Sequence, residues 1–78
     1  MDEITITSAD APEGTIWLVK LVVHAGFAAS NGEARRLIQQ GGVKINGEAI
    51  KEPSFEWTVE DGATLQVGKR KFGQIKLS

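Results

Sequence analysis

Apolar positions recur along this chain in two rhythms, and the point where one replaces the other sets its architecture. Leu18, Leu21, Val22 and Ala25 stand at i, i+3, i+4 and i+7, one stripe of a helix predicted over residues 15–25. The run Ile16-Trp17-Leu18-Val19 is also rich in strand formers and would suit a buried strand, but the stripe favours helix. Gly26 then stands where a left-handed C-cap belongs, with Phe27 placed to fold back onto Val22. A second helix opens on Ser30 and Glu33, the S-x-x-E pattern in which each side chain satisfies a backbone N–H at the helix start. Ala34, Leu37 and Ile38 form its apolar stripe, and Gly41-Gly42 ends it.

After Gly42 the period changes to two. Val43 and Ile45 point one way, Lys44 and Asn46 the other. Asn46-Gly47 is a strong hairpin signal because both residues tolerate the positive φ of a type I′ turn, and Ala49 and Ile50 return. Pro53 argues against a central strand at its position. Phe55, Trp57 and Val59 alternate, Asp61-Gly62 turns the chain, and Leu65 and Val67 begin another strand. Phe72, Ile75 and Leu77 fall in a final strand, with a bulge expected at Gly73. Residues 1–14 are polar and carry Pro12 and Gly14; they read as a lead-in or linker, with Ile4 and Ile6 forming at most a short extended piece. The division is therefore 1–14 lead-in and 15–78 folded domain, of α+β class: two packed helices, then a hairpin and a small, mostly antiparallel sheet.

Composition narrows the functional classes. With 78 residues there is room for one domain and one modest core. No cysteine is present, which removes disulfides and thiolate metal sites and suits the cytoplasm. There is no apolar run near the ~20 residues that span a bilayer. The net charge of −1 conceals a segregated pattern. Asp2, Glu3, Asp10 and Glu13 precede any base; Arg35, Arg36 and Lys44 form a basic middle beside Glu33. Glu48, Glu52, Glu56, Glu60 and Asp61 follow, opposed only by Lys51, and Lys69, Arg70, Lys71 and Lys76 close the chain. Such segregation can build a basic face on a molecule whose total charge cancels, or can simply mix into a solvated surface.

Catalytic readings find little support. His24 is the single histidine and sits on a helix among apolar residues. Ser30 is explained as a cap, no phosphate loop is present, and neither a metal set nor a cofactor site can be assembled. Trp17, Trp57, Phe27, Phe55 and Phe72 read as core in preference to base-stacking platforms. What remains is the second helix. With Ala34, Leu37 and Ile38 inward, Asn31, Arg35 and Gln39 run down its outer side at i, i+4 spacing, as do Arg36 and Gln40. Guanidinium forks flanked by amides suit phosphate oxygens and sugar hydroxyls, and an ordinary solvated face is the competing account.

The stretch from Leu21 to Ile50, LVVHAGFAASNGEARRLIQQGGVKINGEAI, resembles the RNA-binding domain named after small-subunit ribosomal protein S-four, the alpha-L motif. The A-G-x-A-x-S entry, the E-A-R-R-L-I helix, the Gly-Gly turn and the V-x-I-N-G hairpin carry the likeness together. Within that superfamily, TIWLVKLV, RRLIQQGGV and the closing LQVGKRKFGQIKL look like the C-terminal domain of bacterial tyrosyl-tRNA synthetases, over about residues 15–78. The resemblance implies a non-catalytic RNA clamp tethered to a catalytic body that is a homodimer. It implies tRNA(Tyr) as partner, held near the variable arm and anticodon stem, with Asn31, Arg35, Arg36, Gln39, Lys44, Lys69, Arg70 and Lys71 facing the RNA. Many relatives carry a base where this chain has Asn31, which implies a less positive patch here. The ligase signatures H-I-G-H and K-M-S-K-S are absent, so no ligase activity and no small-molecule substrate are expected of this segment. The same module also occurs in pseudouridine synthases, RNA methyltransferases and ribosome-associated factors. A protein-interaction domain, using the acidic 48–61 segment and an exposed tryptophan, is the reading from another class. The clamp requires that the arginine pair and the lysine-rich end share one outward surface.

Overall fold

The structure is a computed structural model that describes residues 2–78; Met1 lies outside the described residues. The helical stripe predicted over 15–25 divides at Trp17. Thr15–Trp17 form a short strand, β2, and the helix proper, α1, is Leu18–His24. The split follows from pairing: Ile16 lies opposite Trp57 in an antiparallel ladder with β5 (Glu56–Thr58), so β-branched and aromatic preference prevails at the start of the run. Trp17 offers no side-chain cap; the backbone carbonyl of Phe55 accepts the Leu18 N–H at 2.9 Å in its place. Helix α2 is Asn31–Gln39. Ser30 Oγ accepts the Glu33 N–H at 3.2 Å, while the Glu33 carboxylate reaches past Ser30 to the Ala29 N–H at 3.0 Å. Both helices end in Schellman turns: Gly26 donates to Val23 and Phe27 to Val22, Gly41 donates to Ile38 and Gly42 to Leu37. At Gly41 the φ of 76° makes glycine the natural occupant.

The period-two half of the chain supplies four strands of a five-stranded sheet ordered β1-β7-β6-β3-β4, in which β1 is Asp2–Ile6. Strand β3 is Val43–Ile45, β4 Glu48–Ala49, β6 Thr64–Val67 and β7 Lys71–Leu77. The hairpin forms at Asn46-Gly47, with φ of 52° and 84°. Asn46 does more than turn the chain, since its N–H donates to Thr64 O at 2.9 Å and its Oδ1 accepts the Thr64 N–H at 3.0 Å. Gly62 has the positive φ expected at the Asp61-Gly62 turn, and Pro53 lies outside every strand.

The extended piece expected at Ile4 and Ile6 forms, but as part of the folded sheet and not of a lead-in. Asp2–Ile6 form β1, a full edge strand paired in parallel with β7 from Asp2 opposite Gly73 to Ile6 opposite Leu77. Ile4 and Ile6 are buried in the core, which supplies the driving force for docking this segment. The connection that follows is tied down as well. The Asp10 carboxylate accepts the Thr7 N–H at 3.0 Å and the Thr7 hydroxyl at 2.9 Å, and those bonds hold its pKa below the ordinary carboxylate value. His24 Nε2 donates to the Thr5 carbonyl at 2.8 Å, fastening α1 to β1.

A second difference concerns Gly73. No bulge forms there; β6 and β7 stay in continuous register from Thr64 opposite Gln74 to Val67 opposite Lys71. Instead, a Cβ on Gly73 would collide with the end of Ile4, so the glycine lets β1 and its isoleucine approach β7. The core lies between one sheet face and the two helices. Leu18, Leu21, Ile38 and Leu65 are fully buried, each contributing about 1.5–3 kcal/mol relative to exposure.

Candidate RNA-binding surface

Helix α2 buries Ala34 and Ile38 completely and leaves Asn31, Arg35, Arg36 and Gln39 exposed. Successive residues on a helix point about 100° apart, and here that separation divides the two arginines between two clefts. Arg36 lines a cleft of about 460 Å³ whose other wall includes Gly68 and Lys71. Arg35 and Gln39 line a different groove of about 620 Å³, with Trp17, Glu52 and Glu56. The arginine pair, expected to share one outward surface with the lysine-rich end, is therefore divided: Arg36 lines a cleft with Lys71 and Arg35 lines the other groove.

The basic end of the chain sits beside the C-terminal end of α2. The Gly68 N–H donates to the Gly42 carbonyl at 2.7 Å, which pins the β6–β7 turn against the turn that ends the helix. Lys69 and Arg70 project from that turn into solvent. Lys71 folds inward, its ammonium donating to the Phe27 carbonyl at 3.4 Å on the rim of the Arg36 cleft. Arg36, Lys69, Arg70 and Lys71 are thus gathered at one end of the molecule. The C-terminal pole of the helix macrodipole already favours cations there, so part of this clustering stabilises the fold irrespective of any ligand. Glu33 lines the same cleft, with its carboxylate committed to the Ala29 N–H. Among the described residues, none of the four bases has an ion-pair partner; Lys76 pairs with Glu3 at 3.9 Å, and His24 Nε2 lies 3.9 Å from the Asp10 carboxylate.

The remaining predicted residues stand apart from this cluster. Asn31 and Gln39 share the Arg35 flank, where the Arg35 guanidinium lies over the Trp17 ring at 5.9 Å from its centroid. Trp17 Nε1 donates to the Pro53 carbonyl at 2.7 Å, which holds the ring in place. Lys44 is half-buried on the outer face of the sheet, opposite Gln66. Of the aromatic residues expected in the core, Phe27 and Trp57 are buried, Trp17 and Phe55 pack against it half-buried, and Phe72 is at the surface. Trp17 is half-buried beneath Arg35, and Phe72 is 38% exposed. A signal for Phe72 was present in the sequence, because positions 72 and 75 cannot share a face in a strand of period two.

A family model described as the S4 domain matches residues 16–62. The chain belongs to the S4 domain family. The S4 match runs from β2 through β5 and includes both helices and the hairpin; β1, β6, β7 and the basic turn lie outside it. Similarity to longer proteins extends further. The chain is 49% identical to a tyrosine–tRNA ligase of Moorella thermoacetica over 96% of its length, 45% identical to one of Syntrophotalea carbinolica and 41% identical to one of Geobacter sulfurreducens over the same share. It spans only 17–18% of the length of these relatives. Among the described residues, no helix of this S4 domain is long and apolar enough to cross a membrane.

Proposed function

We propose that this S4 domain is the non-catalytic RNA-binding appendage of a tyrosine–tRNA ligase. It holds tRNA(Tyr) by phosphate and backbone contacts near the variable arm and anticodon stem, while the catalytic body of a homodimeric cytoplasmic enzyme performs the ligation. Similarity to tyrosine–tRNA ligases over 96% of the chain supports the parent. The observation that supports the mode of binding is the cleft lined by both Arg36 and Lys71, next to the turn that the Gly68 to Gly42 hydrogen bond pins and that carries Lys69 and Arg70. Arg36 and Lys71 within the cleft, with Lys69 and Arg70 in the exposed turn beside it, suit two or more phosphates, and Arg36 is able to take a phosphate through two parallel N–H groups. Arg35, Asn31 and Gln39 act on the neighbouring flank, where Glu52 and Glu56 disfavour phosphate, and contribute polar contacts to sugar hydroxyls. Lys44 lies further off on the sheet face.

Each neutralised phosphate releases counterions, so affinity falls with salt; for a domain making a few such contacts, binding is expected to be roughly micromolar or weaker. Tethering to a catalytic body raises the effective concentration and makes weak contacts sufficient. Titration of the chain with tRNA at low and high salt tests this reading. Replacing Arg36 and Lys71 together with Ala is expected to reduce the salt slope by about one per lost phosphate contact, and Arg35→Ala to change it less. Unchanged affinity and slope in the Arg36/Lys71 double variant would reject the cleft as the phosphate site. A protein-docking module would give little signal at either salt.

A further inference from the structure

We propose that the outer face of the sheet at Phe72 is a separate RNA subsite that stacks one unpaired base. This rests on the RNA reading above and extends it from phosphates to bases. In β7, Gly73 and Ile75 are buried, so Phe72, Gln74 and Lys76 face outward. Phe72 is 38% exposed, a large apolar ring on a face that also carries Lys44, Gln66, Gln74 and Lys76. Register places it directly opposite Gln66, and Gln66 directly opposite Lys44. Residues paired in this way stand about 5 Å apart at Cβ, so one transverse row presents a ring, an amide and an ammonium side by side.

Each member of the row suits a different part of a nucleotide. The ring offers a flat apolar surface that any base can cover. Gln66 Nε2 donates to the Gly68 carbonyl at 2.9 Å; only the nitrogen can make that bond, so Oε1 is left as an acceptor for an exocyclic amine. Lys44 supplies positive charge for the adjoining phosphate, and Lys69 and Arg70 stand in the turn that leads into Phe72. Among the described residues, no carboxylate belongs to the row. The acid on this face, Glu3, lies opposite Gln74 and is engaged by Lys76 at 3.9 Å. A single ring surrounded by amides and cations fits an anionic partner with an exposed flat group, which is an unstacked nucleotide in a loop or single strand. A protein interface would call for a broader apolar patch.

The test uses the full chain with a short single-stranded RNA carrying one 2-aminopurine and a blunt duplex of the same sequence, followed by anisotropy and 2-aminopurine emission. Phe72→Ala and Phe72→Leu are each expected to weaken single-strand binding about fivefold or more and to abolish the change in emission, with duplex affinity shifted less than about twofold and Phe72→Trp close to the parent. The Leu variant keeps apolar bulk on the strand, so a loss shared by both variants reports the ring and not the fold. If either variant binds the single strand as the parent does, or if both RNAs weaken together, the subsite is rejected while phosphate binding at Arg36 stands. If the parent binds neither RNA, both readings fall.

Discussion

Gly73 shows how much one position can carry without a side chain. It allows Ile4 to lie across β7 where a Cβ would otherwise stand 2.8 Å from Ile4 Cγ1. Gly73→Ala is therefore expected to push β1 outward and cost about 1–3 kcal/mol, read from urea denaturation. Shortening the neighbour restores room, so the double variant Gly73→Ala/Ile4→Ala is expected to be more stable than the sum of the two single losses implies; strict additivity would show that the two residues do not compete for space. From the sequence, Gly73 could be marked only as unusual within a strand, because the atom that requires it arrives from 69 residues away in the chain. The arginines present a similar case. Their residue type and exposure were legible from the α2 stripe, but which cleft each one enters depends on β5 and β6, elements that α2 meets only in the folded molecule.

At the scale of elements, legibility followed locality. Helix α2 carries its own start in Ser30, its own stop in Gly41 and a clear apolar stripe, and it forms where the pattern puts it. The hairpin at Asn46-Gly47 is equally self-contained. The first helix was overextended because the stripe at Leu18, Leu21 and Val22 is real but begins one strand later than the apolar run does. Whether Ile16 belongs to helix or strand is decided by Trp57 across the ladder. Glu33 makes the link between a helix terminus and the binding cleft testable. Its carboxylate caps the Ala29 N–H while placing negative charge near Arg36 and Lys71. Glu33→Gln keeps an oxygen acceptor and removes the charge. It is expected to leave stability within about 0.5 kcal/mol, to raise RNA affinity, and to do so most at low salt. Weaker binding in that variant would place the phosphates elsewhere.

For the whole molecule, the decisive feature is that the two ends of the chain meet. The sequence presents residues 1–14 as a polar lead-in, and nothing local discloses that Ile4 and Ile6 dock on a strand whose residues come last. Removing residues 2–7 is expected to cost about 3–6 kcal/mol from the two isoleucines alone, comparable with the whole stability of a small domain, and to leave the chain largely unfolded by circular dichroism. An unchanged denaturation midpoint would restore the domain boundary to residue 15. Parallel pairing of the first and last strands also has a mechanical meaning. The polypeptide enters at one end of the ladder beside Gly73 and leaves at the other beyond Leu77. Opposite pulls applied ahead of Asp2 and beyond Leu77 would draw the two strands lengthwise past one another. The rungs from Asp2 to Ile6 would then bear the strain together, as a lap joint does, whereas a hairpin pulled at its open ends gives way one rung at a time.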